Sequence, residues 1–160
     1  MEDLLSKEPV KRVQNFISKF DSKLKILVLK NTARTANDAA ESLKCEVGAI
    51  VKSLLLRTDN SFLVCLIAGD KRCSLNKLKK ILEKKDVSMA NAEDVKKFTG
   101  FSIGGVAPIA HTKKLNILID KSLERFQNLF AAAGHPNCVF KISYKELIEI
   151  TDGHEKDISE

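Results

Sequence analysis

The stretch VGAIVKSLLLRTDNSFLVCLIAG, residues 47–69, constrains the fold more than any other part of the chain. It contains two runs of large apolar and β-branched residues. The turn-forming residues Thr58, Asp59, Asn60 and Ser61 separate the two runs. Such a pattern predicts a β-hairpin.

The first strand of this hairpin is apolar on both faces and still contains a lysine. Alternation of side chains gives two sets, Ile50, Lys52, Leu54 and Leu56 on one face and Ala49, Val51, Ser53 and Leu55 on the other. Lys52 therefore has no obvious wet side. Either it extends past an open sheet edge to reach water, which the pattern alone favours, or it has a functional role.

Helices and strands alternate along the rest of the chain. Helices are predicted over residues 7–20, 35–43, 74–85 and 91–98, and strands over residues 25–29 and 116–120 and after residue 136. Helical spacing assigns inward faces to Val10, Val13, Phe16, Ile17 and Phe20, and to Leu75, Leu78, Ile81 and Leu82. The 160 residues, 44% of them hydrophobic, fit one domain.

The net charge of +6 is concentrated in one segment, from Asp70 to Lys85. That segment has two acidic and seven basic residues, Lys71, Arg72, Lys77, Lys79, Lys80, Lys84 and Lys85. A basic patch fits a polyanion, and RNA is the natural candidate. Composition alone favours a solvated lysine-rich helix. The candidate RNA contacts are Lys71, Arg72, Lys77, Lys80 and Lys84.

Other sequence features bear on location. No apolar run approaches the roughly 20 residues of a membrane span, and the N-terminus does not resemble a secretory signal, so a cytoplasmic protein without a membrane partner is expected.

The four cysteines are expected to be structural thiols, although neighbouring cations favour a lowered pKa at Cys73. Residues 151–160 are predicted to form an acidic tail.

Residues 100–111, GFSIGGVAPIAH, are too apolar for an ordinary solvent loop. Glycine permits a close approach to the backbone, and consecutive exposed N–H groups can bind a carbonyl oxygen, an oxyanion or a phosphate. The spacing matches neither a Walker phosphate loop nor a dinucleotide fingerprint. A second glycine turn lies at residues 133–136, where His135 either is a surface imidazole or faces the same cleft.

Four motifs occur in order between residues 47 and 142: IVKSLLL, TGFSIGGVAPIAH, NILIDKSL and AAAGHPNCVFKI. This series resembles the YbaK-like aminoacyl-tRNA deacylases, which include the editing insertion domain of bacterial prolyl-tRNA synthetase and free-standing relatives. The resemblance implies a single compact α+β domain over residues 1–160, with a mixed, strongly curved sheet flanked by helices. It also implies hydrolysis, in trans, of the ester of a wrongly charged tRNA.

The resemblance carries over to particular positions. The family's lysine falls on Lys52, and its Gly-x-x-x-Pro substrate loop starts at Gly104 and includes Gly105; these three residues are the catalytic candidates. The candidate substrate contacts are Phe101, Ile103, Val106, Ala107, Pro108, Asp120, Gly134, His135 and Pro136. Relatives are thought to use substrate groups such as the terminal 2′-hydroxyl in place of a general base, and no metal or organic cofactor is expected.

Three functions remain open at this point. An aminoacyl ester is already activated, so a hydrolase needs only a placed water and donors for the oxyanion. The expected partner is the acceptor end of aminoacyl-tRNA, with an aminoacyl-tRNA synthetase such as prolyl-tRNA synthetase as a candidate and DNA not expected. The alternatives are a catalytically inactive tRNA- or synthetase-binding module of the same fold, and a protein-interaction adaptor that binds no RNA.

Overall fold

The computed structural model describes residues 3–31 and 34–160 and confirms the hairpin. Strand β2 (Ile50–Thr58) pairs antiparallel with β3 (Ser61–Ala68), in a register that runs from Val51 opposite Ala68 to Thr58 opposite Ser61. Asp59 and Asn60 make the turn.

The hairpin lies at the centre of an eight-stranded sheet in the described residues. The other strands are β1 (Ile26–Val28), β4 (Val87–Met89), β5 (Asn116–Asp120), β6 (Leu129–His135), β7 (Cys138–Ile142) and β8 (His154–Lys156). The strand order is β1-β7-β6-β2-β3-β5-β8, with β4 also paired to β2. The β2/β6, β3/β5 and β5/β8 pairs are parallel and the rest antiparallel, so the predicted mixed, curled sheet of a single α+β domain is confirmed.

Five α-helices accompany this sheet in the described residues: α1 (Glu8–Phe20), α2 (Ala36–Leu43), α3 (Leu75–Leu82), α4 (Ala92–Thr99) and α5 (Tyr144–Thr151). The last four begin after N-cap side chains that accept a main-chain N–H three residues later, namely Thr35, Ser74, Asn91 and Ser143. None of the described helices has the length and apolar character needed to span a membrane.

The inward faces of α1 and α3 are narrower than the spacing predicts. Val10, Val13 and Ile17 are completely buried, whereas Phe16 and Phe20 remain about 40% exposed. In α3, Leu78 is buried but Ile81 is 40% exposed. The prediction for these three exposed residues is wrong, because each helix contacts the sheet along one stripe only.

Both faces of β2 are buried, as the sequence predicts. Val51 and Leu55 belong to the main core, Leu56 to a second cluster and Ile50 to a third. Because β2 contributes to all three clusters, it is the strand around which the domain is packed.

The acidic C-terminal segment is part of the fold, so the prediction of a tail is wrong. Strand β8 pairs with β5, and Ser159 forms an antiparallel bridge with Cys73. Ile158 is completely buried in the second cluster. A hydrophobic anchor and strand pairing outweigh the local excess of acids.

Strand β2 lacks a paired neighbour along part of one side, which leaves an opening in the sheet. On the side away from β3, β2 pairs with β6 only at Ile50 and Val51 and with β4 only from Leu56 onward. Residues 52–55 thus have no strand neighbour on that side within residues 3–31 and 34–160. Leu55 O accepts a hydrogen bond from Ala90 N–H (3.0 Å), so by alternation the main-chain groups of Ser53 also point into this opening.

Candidate active site

A cavity of about 370 Å³ occupies the opening beside β2. Its walls come from α2, residues 50–55 of β2, the loop at residues 103–106, and strands β6 and β7 with the turn between them. Most of the wall is apolar, and its polar side chains are Arg34, Thr35, Lys52 and Ser53. Such a chamber suits a small group with an apolar body and few polar atoms.

Lys52 lies between this cavity and a second one of about 550 Å³. The second cavity is lined by Lys52, Leu54, Arg72, Cys73, Leu75, Asn76, Lys79, Met89 and Glu160. The charged side chains of this second cavity are three cations, Lys52, Arg72 and Lys79, and one carboxylate, Glu160, so the groove that adjoins the apolar cavity has an excess of positive charge. Cys73 is one of the residues that line the second cavity. A hydrogen bond from the Cys65 thiol lowers the pKa of Cys73, and the charge of Lys52 lowers it further.

Lys52 is half-buried rather than fully desolvated between two apolar faces. Its Nζ donates a hydrogen bond of 2.5 Å to Lys71 O. Burial lowers the pKa of Lys52, and the charge of Asp70 partly offsets that effect. The carbonyl explains how a cation is accommodated beside an apolar strand, and it holds the ammonium at the junction of the two cavities.

The glycine loop presents main-chain donors at the cavity. Gly104 lines it with φ +95°, a conformation that favours glycine. The N–H groups of Gly104, Val106 and Ala107 have no hydrogen-bond acceptor within the described residues, whereas Gly105 N–H donates to Ser102 O (3.0 Å). Gly104 is exposed, so water can satisfy its N–H, whereas Val106 and Ala107 are buried, where unpaired N–H groups are rare.

Contacts from outside the loop fix its position. Gly105 O accepts a hydrogen bond from Gly134 N–H (3.0 Å), which joins the two glycine turns. Arg12 Nε donates to Ala110 O (2.9 Å), and its guanidinium lies 4.4 Å from the centre of the Phe101 ring. Gly105 and Phe101 thus hold the loop in place and do not line the cavity.

The predicted site residues separate into two groups. Those that line the cavity are Lys52, Ile103, Gly104, Val106 and Pro136. Those that the structure places outside its walls are Phe101, Gly105, Ala107, Pro108, Asp120, Gly134 and His135. Phe101 and Ala107 are completely buried in the main core, so their side chains have packing partners of their own.

Asp120 binds the C-terminal segment rather than the cavity. Only 1% of the residue is exposed, and its carboxylate accepts hydrogen bonds from Ile158 N–H and Ser159 Oγ, both at 2.8 Å. The N–H and hydroxyl of Ser122 donate to it as well. Burial opposes ionisation, but these hydrogen bonds together hold the pKa of Asp120 below its ordinary value.

Two histidines near the loop have local partners. His135 Nδ1 accepts a hydrogen bond from Asn137 N–H (3.0 Å), which leaves the ring proton on Nε2 when the ring is neutral. His111 Nε2 lies 2.8 Å from Ala107 O and donates to it. Burial lowers the pKa of His111, which favours the neutral ring. Its hydrogen bond to Ala107 O holds the loop in place.

The five candidate RNA contacts differ in their surroundings. Lys77 Nζ donates to Asp157 Oδ1 (3.0 Å) and to Ser159 O (2.6 Å), which ties α3 to the C-terminal segment. Arg72 lines the second cavity, and Lys71 supplies the carbonyl that holds Lys52. The side chains of Lys80 and Lys84 are exposed and have no partner within residues 3–31 and 34–160.

Sequence reasoning missed several residues of the two cavities. Arg34 lies exposed at the edge of the first cavity, and Lys79 lines the second. Ser53 lines the apolar cavity, and its position beside Lys52 in an apolar strand was the available signal.

The described residues contain no cluster of three histidine, cysteine, aspartate or glutamate side chains that could hold a metal ion.

Comparisons with known proteins give consistent results. The family model for the aminoacyl-tRNA editing domain matches residues 30–150. A proline–tRNA ligase of Lactobacillus acidophilus is 35% identical over 107 residues, which is 67% of this chain but only 19% of the ligase. The uncharacterized protein YwhH of Bacillus subtilis is 27% identical over 89% of this chain and 90% of its own length.

A solved structure extends the similarity to almost the whole fold. A crystal structure described as a proposed trans-editing enzyme for prolyl-tRNA synthetase superposes with a TM-score of 0.91 at 32% identity. The match covers 96% of this chain and 98% of that one.

Proposed function

Because the chain belongs to the aminoacyl-tRNA editing domain family, we propose that it hydrolyses the ester bond of mischarged aminoacyl-tRNA in trans. One observation carries the proposal: Lys52 lies at the junction of an apolar cavity and a groove lined by cations. An aminoacyl group on the end of a tRNA has the same two parts, a small side chain and a phosphodiester chain.

The substrate is accommodated with its aminoacyl group in the 370 Å³ cavity and its terminal nucleotides along the second cavity. Arg72 and Lys79 bind phosphate there, since phosphate contacts supply most of the affinity for nucleic acid. Lys52 binds the terminal phosphate or the ester carbonyl at the junction. Its lowered pKa reflects desolvation that a bound anion offsets.

Hydrolysis requires a water to attack the ester carbonyl carbon. Negative charge develops on the carbonyl oxygen, and the unpaired N–H groups of Gly104 and Val106, which line the cavity, are the donors proposed to stabilise it. The bond to the ribose oxygen then breaks, the ribose oxygen takes a proton, and the amino acid leaves as a carboxylic acid that ionises in water.

The proton of the attacking water needs an acceptor. Within the described part of the chain, the side chains that line the cavity include no aspartate, glutamate or histidine. The neighbouring 2′-hydroxyl of the terminal ribose is therefore the proposed relay, as the family resemblance implies. The chain's part is to orient the ester, limit the water around it and stabilise the oxyanion.

A panel of mischarged tRNAs tests this function. The purified protein is incubated with tRNAs that carry amino acids of increasing size, and release of each amino acid is followed against its spontaneous hydrolysis. We expect fast release of small amino acids and little of phenylalanine, because the apolar walls exclude large side chains. Salt-sensitive tRNA binding without any release would indicate the binding module instead. Neither release nor binding would indicate the adaptor.

A further inference from the structure

Two cysteines lie together beside the second cavity. Cys65 is completely buried on β3, and the half-buried Cys73 packs against the hydrophobic cluster to which Cys65 belongs. The Cys65 thiol donates a hydrogen bond to the Cys73 sulfur. Cys73 lines the cavity, where a small solute can reach it, whereas Cys65 has no exposed surface. The pair therefore has one accessible and one enclosed sulfur.

The surroundings of the pair make Cys73 the more reactive thiol. The hydrogen bond from Cys65 and the ammonium of Lys52 lower the pKa of Cys73. Burial and the carboxylates of Asp120 and Glu160 oppose this shift without cancelling it. The same hydrogen bond, together with burial, raises the pKa of Cys65. Because the thiolate is the nucleophilic form of cysteine, Cys73 reacts first with an oxidant.

The other two cysteines have different surroundings. Cys138 belongs to the main core, and Cys45 packs against the third hydrophobic cluster. Burial raises the pKa of Cys138 to about 11 and that of Cys45 above its ordinary value. Cys45 is half-buried like Cys73, so it is the matched control for reactivity.

We propose that Cys65 and Cys73 are a redox pair that a hydroperoxide converts into a reversible disulfide in the wall of the second cavity. The Cys73 thiolate attacks the terminal oxygen of the hydroperoxide. An S–O bond forms, the O–O bond breaks, and the released alkoxide takes a proton to become an alcohol, or water when the oxidant is hydrogen peroxide. Cys73 is now a sulfenic acid.

The enclosed sulfur completes the reaction. The Cys65 sulfur attacks the sulfur of the Cys73 sulfenic acid, so that an S–S bond forms and the S–O bond breaks. The hydroxide leaves as water with the proton of the Cys65 thiol. Two thiols are thereby oxidised to one disulfide, and the hydroperoxide is reduced by two electrons.

The disulfide changes the charge of the groove. A Cys73 thiolate offsets part of the positive charge of Lys52 and raises the pKa of that lysine, whereas a disulfide is neutral. The oxidised groove therefore attracts phosphate more strongly. This consequence rests on the proposed function, because it requires tRNA in the groove, but formation of the disulfide does not.

Peptide mapping tests the disulfide directly. The folded, reduced protein is exposed to hydrogen peroxide, the remaining thiols are alkylated, and the chain is digested with trypsin without reduction. Cleavage after lysine and arginine places the two sulfurs in separate peptides, residues 58–71 and 73–77. We expect mass spectrometry to find these two peptides linked, and dithiothreitol to separate them.

Cysteine variants test the order of the steps. In Cys65→Ala the reaction should stop at the Cys73 sulfenic acid, which dimedone traps, and in Cys73→Ala the Cys65 thiol should stay unoxidised. The control Cys45→Ala should keep the link. The wild-type map decides the proposal even if Cys65→Ala, a change in the core, does not fold.

Two results of the mapping would overturn the redox pair. One is oxidation of Cys73 beyond the sulfenic acid in the wild-type protein while Cys65 remains a free thiol. The other is oxidation of Cys45 as fast as that of Cys73.

Binding of uncharged tRNA tests the effect on the groove. We expect the oxidised wild-type protein to bind about threefold more tightly than the reduced protein at low salt. Cys73→Ala exposed to the same peroxide should show no change. Equal affinities of the two wild-type states would contradict the charge effect. Absence of tRNA binding in both states would count against the proposed function, and the peptide map would still decide the disulfide.

Discussion

The carboxylate of Asp120 and the wall of the cavity beside β2 both place polar groups in the interior, but only one of them is complete. Asp120 accepts hydrogen bonds from Ser122, Ile158 and Ser159 and so joins β5 to the C-terminal segment. At the cavity, the buried Ser53 Oγ and Val106 N–H have no partner within residues 3–31 and 34–160.

This difference separates structural polar groups from those that are available to a ligand. A buried polar group with all its partners contributes to stability, and its removal leaves donors unpaired. One without a protein partner reduces stability unless a water or a ligand supplies the partner. Mutation of the first region should therefore lower Tm, and mutation of the second should lower activity.

The largest loss of stability is expected for Asp120→Ala. The change leaves several buried donors unpaired and should lower the free energy of unfolding by about 3 kcal/mol. Tm should fall by about 10 °C. The control Asp157→Ala removes an exposed carboxylate that pairs with Lys77, and it should cost at most about 1 kcal/mol. Equal losses in the two variants would contradict the comparison.

The pH dependence of unfolding provides an independent check on Asp120. The pKa of this carboxyl is lower in the folded protein than its unfolded value of about 3.9. The contribution of Asp120 to the free energy of unfolding is therefore fully present above the pKa of the unfolded state, and it is lost as pH falls through the pKa of the folded state. Denaturant titrations should show a steeper loss of stability below about pH 4 in the wild-type protein than in Asp120→Ala.

The second prediction compares two adjacent glycines. A Cβ on Gly105 would lie 2.9 Å from the carbonyl carbon of Gly134, so Gly105→Ala should cost about 2 kcal/mol. On Gly104 a Cβ would meet only Pro136 Cγ at 3.4 Å, and its positive φ should cost about 1 kcal/mol. We expect Gly105→Ala to lose more Tm and Gly104→Ala to lose more activity. The opposite ranking would contradict this prediction, because it would mean that Gly105, and not Gly104, contacts the substrate.

Much of the fold follows from local sequence patterns. The hairpin and the apolar run through Lys52 predict elements that the structure confirms, because turns and alternation depend on neighbouring residues. The C-terminal segment could not be predicted in this way. Its strand β8 pairs with residues 118–120 of β5, and Ile158 and Ser159 beyond it contact Asp120 and Cys73, all of which are distant in sequence.

The site is less accessible to sequence reasoning. Residues such as Lys52 and Gly104 can be identified from their chemistry and from the resemblance. Which side of a turn faces the cavity depends on pairing between distant segments, such as Gly134 N–H with Gly105 O. For the same reason, no local pattern indicates that Ser53 lacks a partner.

The third prediction applies the comparison to the lysines of the basic segment. Lys77 has partners in the C-terminal segment, whereas the side chains of Lys80 and Lys84 have none within the described residues. The double change of Lys80 and Lys84 to glutamate should weaken tRNA binding about tenfold and reduce its salt dependence. The same charge change at Lys141 and Lys145, both exposed, is the control. An unchanged affinity and salt slope would show that α3 is a solvated face.

The central claim is that Lys52 acts on the substrate and not on the fold, and Lys52→Met tests it most directly. This change keeps the apolar stem and removes the charge, and Lys114→Met is the exposed control. Thermal unfolding and single-turnover deacylation of a tRNA that the wild-type protein hydrolyses are measured on the same preparations. We predict a Tm within about 2 °C of the wild type and a rate reduced by about 100-fold or more. Wild-type activity in the folded Lys52→Met protein would contradict the account.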